Sequence, residues 1–392
     1  MKKMKPLVYL DHAATTPLKQ EVVNAMLPYF SECYGNPSAL YGLGEKSRNV
    51  ITEQRKMIAK TLGTKGQNIY FTSGGTESDN WAIKSVAEQY RNRGNHIITS
   101  KIEHHAVLRV CEYLETKGYE VTYIDVDKQG KVDLEQLQAS IRPTTILISI
   151  MYANNEVGTI QPIKDIGRIA KKCGIIFHTD AVQAYGQLDI DVEKEHIDLL
   201  SVSGHKIFGP KGIGFLYVGK DVKIGSWMHG GSQERQKRAG TENVAGIVGI
   251  GRAAEIAYTD RKRKNIILMG LRDYLIQRIE QEIPYVFING SRKQRLPNNI
   301  SVCIPFVEAE TVLALLDAMG ICVSVGSACT SRQTEASHVL LAMGMNENLA
   351  HNVIRMTLGE ENTKEEVDFV VDKLRECVER LRSMSPNYEK FC

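Results

Sequence analysis

Several things are missing from this chain, and each absence narrows what it can be. Its eight cysteines (33, 111, 173, 303, 322, 329, 377 and 392) include no CxxC pair, so neither a structural zinc site nor a thioredoxin-type redox motif is expected. No apolar run approaches the ~20 residues of a membrane span. The opening Met1-Lys-Lys-Met-Lys-Pro6 is basic, but Leu7-Val-Tyr-Leu10 is too short for a signal core and stops at Asp11. Reduced thiols and a cytoplasmic location are therefore expected. A net charge of +3 favours neither nucleic acid nor an anionic membrane as partner. The densest basic run, Arg261-Lys-Arg-Lys264, reads as the solvated face of a helix, with a docking patch as the alternative. No repeat, low-complexity stretch or long linker interrupts the 392 residues, enough for a large core and more than one domain.

What is present alternates. Asn68–Thr72, His96–Thr99, Glu120–Ile124, Thr145–Ile150, Ile175–Phe177 and Leu199–Val202 read as strands, mostly continuously apolar, as strands covered on both faces are. Helical segments such as Glu77–Arg91 and Ile163–Cys173 lie between several of them. The pattern predicts an α/β fold with a mainly parallel sheet, whose ligands gather at the carboxyl ends of the strands. Ile213–Val218 adds a further strand, read as antiparallel, and a long helix over about 243–282 leads to a second unit. That unit has strands at Asn299–Cys303 and Cys322–Val325 and helices at Glu308–Met319 and Lys364–Ser383.

Chemistry-bearing residues sit where these strands stop. One run ends at Ser203-Gly-His-Lys206 and another at His178-Thr-Asp180. A lysine and an aspartate at neighbouring strand ends suit pyridoxal phosphate: the amine forms a Schiff base and the carboxylate keeps the pyridine nitrogen protonated. Lys211 is the alternative Schiff-base lysine, but it lies beyond the strand end between Pro210 and Gly212. In Phe71-Thr-Ser-Gly-Gly-Thr76, Gly74 and Gly75 allow close backbone approach, and the following helix start with the Thr76 hydroxyl suits a phosphate. The bland reading of that motif is a strand-to-helix turn capped by Thr76. Ser203 and His205 add a hydroxyl and an imidazole beside Lys206. His104 or His105 could stack on the ring and move protons. Asn154-Asn155 follows another strand end, and Gln183 lies three residues past Asp180, within reach of the cofactor's phenolic oxygen. Cys329, in Val325-Gly-Ser-Ala-Cys-Thr-Ser331, is flanked by small polar residues that suit an exposed, travelling thiol better than a core position.

Together these residues resemble the group I cysteine desulfurases, the NifS/IscS-like branch of the class V aminotransferases. The likeness runs through YLDHAATTP (9–17), GNPSALYGLG (35–44), TSGGTESDN (72–80), EHHAV (103–107), ANNEVG (153–158), HTDAVQ (178–183), SGHKIFGPKGIG (203–214), RAGTENV (238–244) and GSACTS (326–331). It implies the fold type I architecture of pyridoxal-phosphate-dependent transferases. A large domain over 16–258 would be joined by a smaller α+β domain formed by 1–15 with 259–392. It implies that Lys206 holds the cofactor, Asp180 pairs with the pyridine nitrogen, His104 stacks on the ring and Gln183 meets its oxygen. Gly75, Thr76, Ser203 and His205 would receive the phosphate, completed by Thr241 from the neighbouring subunit of a homodimer. Asn155, which would also touch the cofactor, and Arg355 would hold the substrate carboxylate.

The implied reaction converts L-cysteine to L-alanine and leaves a persulfide on Cys329, for delivery to an acceptor such as an iron–sulfur scaffold. Cys329 would then be the one candidate ligand for a transient [2Fe–2S] cluster. Thiolation enzymes and cofactor pathways are alternative acceptors. Selenocysteine lysis, transamination, and a binding protein with weak catalysis are the rival readings; a transaminase has no use for a mobile cysteine. Asp79 and His105 depart from the common pattern and are expected not to touch the chemistry, while the stretch 332–337 differs from several relatives.

Overall fold

The computed structural model describes residues 7–325 and 336–389. Its strands in chain order are β1 (Val8–Tyr9), β2 (Ile69–Thr72), β3 (His96–Ser100), β4 (Glu120–Ile124), β5 (Thr145–Ser149), β6 (Ile176–Asp180), β7 (Leu199–Ser203), β8 (Gly214–Val218), β9 (Phe287–Ile288), β10 (Asn299–Cys303), β11 (Ile321–Cys322), β12 (Ser324–Val325) and β13 (Val353–Thr357).

Seven strands form one sheet in the order β2-β8-β7-β6-β5-β3-β4. Neighbours from β4 through β7 are parallel, whereas β8 runs antiparallel to both β7 and β2. Six strands therefore point the same way, and the segments leaving their carboxyl ends emerge on one side. The continuous apolar runs predicted this burial: β3, β5, β7 and β8 are buried along their whole length. Helices cover both faces. Helix Ile163–Cys173 buries Ile163, Ile166, Gly167 and Ala170, the i, i+3, i+4, i+7 stripe of an amphipathic helix. It ends at Gly174, whose φ of 66° is the left-handed conformation that glycine adopts without penalty.

A second core gathers on the four-stranded antiparallel sheet β12-β13-β10-β9. Ile300, Val302, Ile354 and Met356 of that sheet pack with Leu275, Ile279, Val312, Leu316, Val370 and Leu374 from three helices, and Val8 and Leu10 join them. Helix Lys364–Ser383 starts at a reciprocal capping box in which Thr363 and Glu366 satisfy each other's backbone N–H groups.

Three expectations need correcting. The long helix over 243–282 is two helices, Val244–Tyr258 and Arg261–Glu282, separated at Asp260, whose φ of 53° is left-handed. The Cys322–Val325 run is divided between two partners: β11 pairs with β1, and β12 pairs with β13. The basic run is not wholly solvated. Arg261 turns inward to the Leu188 carbonyl and Asp189, and Lys264 to the Ile256 carbonyl. Among the described residues no helix is long and apolar enough to cross a membrane.

Candidate active site

The carboxyl ends of β2, β3, β5, β6 and β7 open into one cleft of about 300 Å³, at the lower end of the ~300–1,000 Å³ that small-molecule pockets span. Gly75, Thr76, His104, Asn155, Asp180, Gln183, Ser203, His205, Lys206 and Arg355 all line it. Thr241 is exposed and is not among the cleft's lining residues in its own chain. Cys329 lies outside the described residues.

Lys206 follows β7 in a short 3-10 turn, and its Nζ donates to the carbonyls of Ala13 and Ala14 at 2.5 and 2.8 Å. The same Ala13 carbonyl accepts from Gln183 Nε2 at 3.0 Å. The segment after β1 thus forms a wall that holds both side chains. Asp180 ends β6 and is buried, its Oδ1 accepting from the Val182 N–H at 2.8 Å. Burial pushes its carboxyl up to about 6, opposed by the Val182 hydrogen bond and by the Lys206 charge. His104 caps the helix His105–Glu115, with Nδ1 accepting from Ala106 N–H at 3.1 Å. Burial, then the positive charge of Lys206, pushes its imidazole down to about 4, so the ring is neutral at working pH. His205, beside Thr15 Oγ1 at 3.2 Å, is pushed down to about 4 for the same reasons.

The second sheet also contributes to the cleft. Arg355 of β13 is buried; its Nη2 donates to Asp11 Oδ1 at 2.8 Å and its Nη1 to the Asn155 carbonyl at 3.2 Å. Its Nε is buried with no hydrogen-bond partner among the described residues.

Some residues that shape this cleft were not anticipated. Asp79 was expected to lie away from the chemistry, yet it is buried and lines the cleft with Asp180. Burial, and the neighbouring Asp180 charge, push its carboxyl well above the usual range. The signal was available: Asp79 stands three residues after Thr76, on the same face of the helix Gly75–Gln89. Its Oδ1 is 3.6 Å from His178 Nε2, and His178 bridges the Ser149 and Ser201 hydroxyls at 2.8 and 3.0 Å. Glu103 is a third buried acid, bonded by Ser100 Oγ and the Met151 N–H and pushed up to about 8 by burial. Asp11, Arg355's carboxylate partner, gave no such signal, because its role depends on strands far apart in sequence.

Residues 8–370 match the aminotransferase class-V family. The chain belongs to this family. Among its relatives, a protein described as cysteine desulfurase IscS of Methanosarcina thermophila is 55% identical over 97% of this chain and 94% of its own length. Another of that description from Dictyoglomus turgidum is 52% identical over 99% of this chain and 98% of its own. A solved structure described as a NifS-like protein superposes with a TM-score of 0.90 at 41% identity, covering 95% of this chain and all of the other. Cysteine desulfurase activity dependent on pyridoxal phosphate accompanies this membership.

The cleft fits that cofactor. A Cβ on Gly75 would lie 2.6 Å from Val182 Cγ2, so only glycine leaves the helix start its present close approach to the Asp180 segment. That start, with the Ser203 and His205 side chains beside it, offers N–H and O–H donors to a phosphate. A pyridine nitrogen that carries a proton would give buried Asp180 the cationic partner a buried carboxylate needs.

Proposed function

We propose that this chain removes sulfur from free L-cysteine, releasing L-alanine and leaving the sulfur as a persulfide on Cys329. The observation that carries the reading is the meeting of Lys206 and buried Asp180 in one cleft with His104, Asn155 and Arg355. Pyridoxal phosphate, bound there, supplies the electron sink that makes the substrate Cα–H acidic and its Cβ–S bond labile.

Arg355 and Asn155 hold the substrate carboxylate, a task suited to a planar fork of N–H donors. Asp180 keeps the ring nitrogen protonated. Lys206, once its amine is released, takes the proton from Cα. His104, neutral at working pH, accepts the proton of the substrate thiol at Nδ1 by releasing the Ala106 N–H that this atom holds. Cys329 attacks as its thiolate, since the thiol is a poor nucleophile. An S–S bond forms between Cys329 and the substrate sulfur as the Cβ–S bond breaks. The electron pair of that bond stays with the substrate carbon, where protonation completes alanine. The sulfur is oxidised to the sulfane level and the carbon is reduced, so no outside oxidant is consumed.

The same reading places the enzyme in the cytoplasm as a homodimer, with Thr241 completing the phosphate site of the neighbouring subunit. It divides the chain into 16–258 and 1–15 with 259–392. The persulfide passes to an acceptor such as an iron–sulfur scaffold. Among the described residues no group of three or more His, Cys, Asp or Glu is placed to hold a metal ion, and on this reading a cluster touched by Cys329 draws its other ligands from the acceptor.

The test is alanine and sulfide release from L-cysteine with dithiothreitol, with the wild type beside two variants. Cys329→Ala should keep the substrate-induced change in cofactor absorption yet form no persulfide. Lys206→Ala should lose the Schiff-base band. Full sulfur release by Cys329→Ala would remove the acceptor assignment.

A further inference from the structure

Ten residues, 326–335, carry Cys329, and the chain on both sides of them is tied to the substrate cleft. On the near side, β12 pairs with β13 in the register Ser324↔Arg355. On the far side, Ser337 caps the five-residue helix His338–Ala342, its hydroxyl accepting from Leu340 N–H at 3.3 Å. The same hydroxyl donates to the carboxylate of Glu156, the residue after Asn155. His338 is fixed separately. Its Nε2 donates to the Glu103 carbonyl at 2.9 Å, one residue before His104, and its ring packs 4.8 Å from that of His105.

A structural account of these contacts is incomplete. Ser337 alone satisfies the helix start, and a five-residue helix needs no more. Glu156 adds a carboxylate that is almost fully buried, which is costly to keep there. Burial pushes that carboxyl up to about 7, and the Ser337 hydrogen bond and the Arg355 charge oppose the rise. Beneath the junction, Val339 and Leu340 share a small core with Ile102 and Met151 from the strand-end loops and with Cys303 and Val353 from the second sheet. The cap and the first residue of this helix, Ser337 and His338, are thus bonded directly to the loops of Asn155 and His104.

We infer that Ser337 and His338 are positioning residues for sulfur transfer: held through Glu156 and Glu103 to those loops, they anchor to the cleft the chain that follows residues 326–335. The inference rests on Cys329 being the sulfur acceptor. It predicts that loosening either tie slows the meeting of thiolate and substrate sulfur without altering how L-cysteine binds or loses its Cα proton.

The experiment follows two signals in one single turnover of the full-length holoenzyme with L-cysteine. These are the change in cofactor absorption and the appearance of protein persulfide, read by mass after alkylation. Ser337→Ala should leave the first signal as in wild type and slow the second by about tenfold, the worth of one buried hydrogen bond. Ser337→Thr, which restores the hydroxyl, should restore the rate. His338→Ala should show the same split, and it carries the test if Ser337→Ala does not fold. Persulfide formation at the wild-type rate in both alanine variants would overturn the inference. So would an equal slowing of both signals, which marks a general loss of packing. Cys329→Ala runs alongside: persulfide that persists in it removes the acceptor reading and this inference together.

Discussion

Replacing Arg355 by lysine probes the carboxylate anchor while keeping its charge. The residue stands on β13 between two strands, in register with Ser301 of β10 and Ser324 of β12, so its backbone is held on both sides. Its guanidinium, 3% exposed, divides its donors between Asp11 Oδ1 at 2.8 Å and the Asn155 carbonyl at 3.2 Å. An ammonium is a single point of charge and cannot serve these two acceptors and a substrate carboxylate in one plane. The variant therefore loses at least one hydrogen bond to a charged group, about 1.5–3 kcal/mol, or about 10–150-fold in kcat/KM. The carboxylate contact exists before and during the reaction alike, so the loss should fall on KM and leave kcat nearly unchanged. Arg355→Ala is the poorer probe, because it also strips Asp11 of its counter-charge and breaking a buried pair costs about 3–5 kcal/mol of stability. Initial rates of alanine release over a range of L-cysteine concentrations measure the effect, with thermal unfolding in parallel. A KM unchanged from wild type in a folded, cofactor-loaded Arg355→Lys enzyme would refute the assignment.

Other expectations are as direct. Asp180, pushed up to about 6 by burial, must be an anion to hold a protonated ring nitrogen. Cofactor retention should therefore fall as pH drops through about 6, and equilibrium dialysis of the holoenzyme measures it; retention independent of pH contradicts the pairing. In the cofactor-free chain the sign reverses: the folded value exceeds the unfolded one, so this acid costs stability above about 6 and the cost fades below it. His104, pushed down to about 4, should show no imidazole titration between about pH 5 and 8 by NMR of labelled histidine, and a midpoint within that window would argue against its burial. Glu234 accepts from Arg55 through both carboxylate oxygens at 2.6 and 2.8 Å and from the Phe71 N–H at 3.0 Å. Glu234→Ala should lower the unfolding free energy by about 3–5 kcal/mol in urea titration; a loss below about 1 kcal/mol would show the pair to be expendable.

The large sheet was readable because strands covered on both faces are mostly apolar, and the runs that became β3, β5 and β7, each buried along its whole length, are rich in Ile, Leu and Val. The cleft residues were readable for a related reason. In a mainly parallel sheet, polar residues directly after such runs have one place to go, and Thr76, His104, Asp180 and Lys206 went there. Pairing was less legible. Nothing in Ile321–Val325 says that its first half will join β1 and its second half β13, since both partners lie far away in sequence. β13 itself gave no strand expectation, although it carries Arg355. The break at Asp260 has no glycine or proline to announce it, only an aspartate, one of the few other residues that adopt the left-handed conformation. Asp79 was missed by treating a departure from a motif as decoration, when its helical spacing from Thr76 already placed the two on one face, which lines the cleft.

The pairing of β1 with β11 has a consequence for how this protein comes into being. Val8 waits for Ile321, which follows it by 313 residues, about 15–60 s at ribosomal rates of about 5–20 residues per second. The carbonyls of Ala13 and Ala14, which hold the Lys206 amine, lie just beyond that strand. Val8 and the wall it leads into are thus made well before their β11 partner, and a nascent chain that already contains Lys206 still lacks that partner. The wall around Lys206 is completed only once β11 has been made, well after the strand that leads to the lysine.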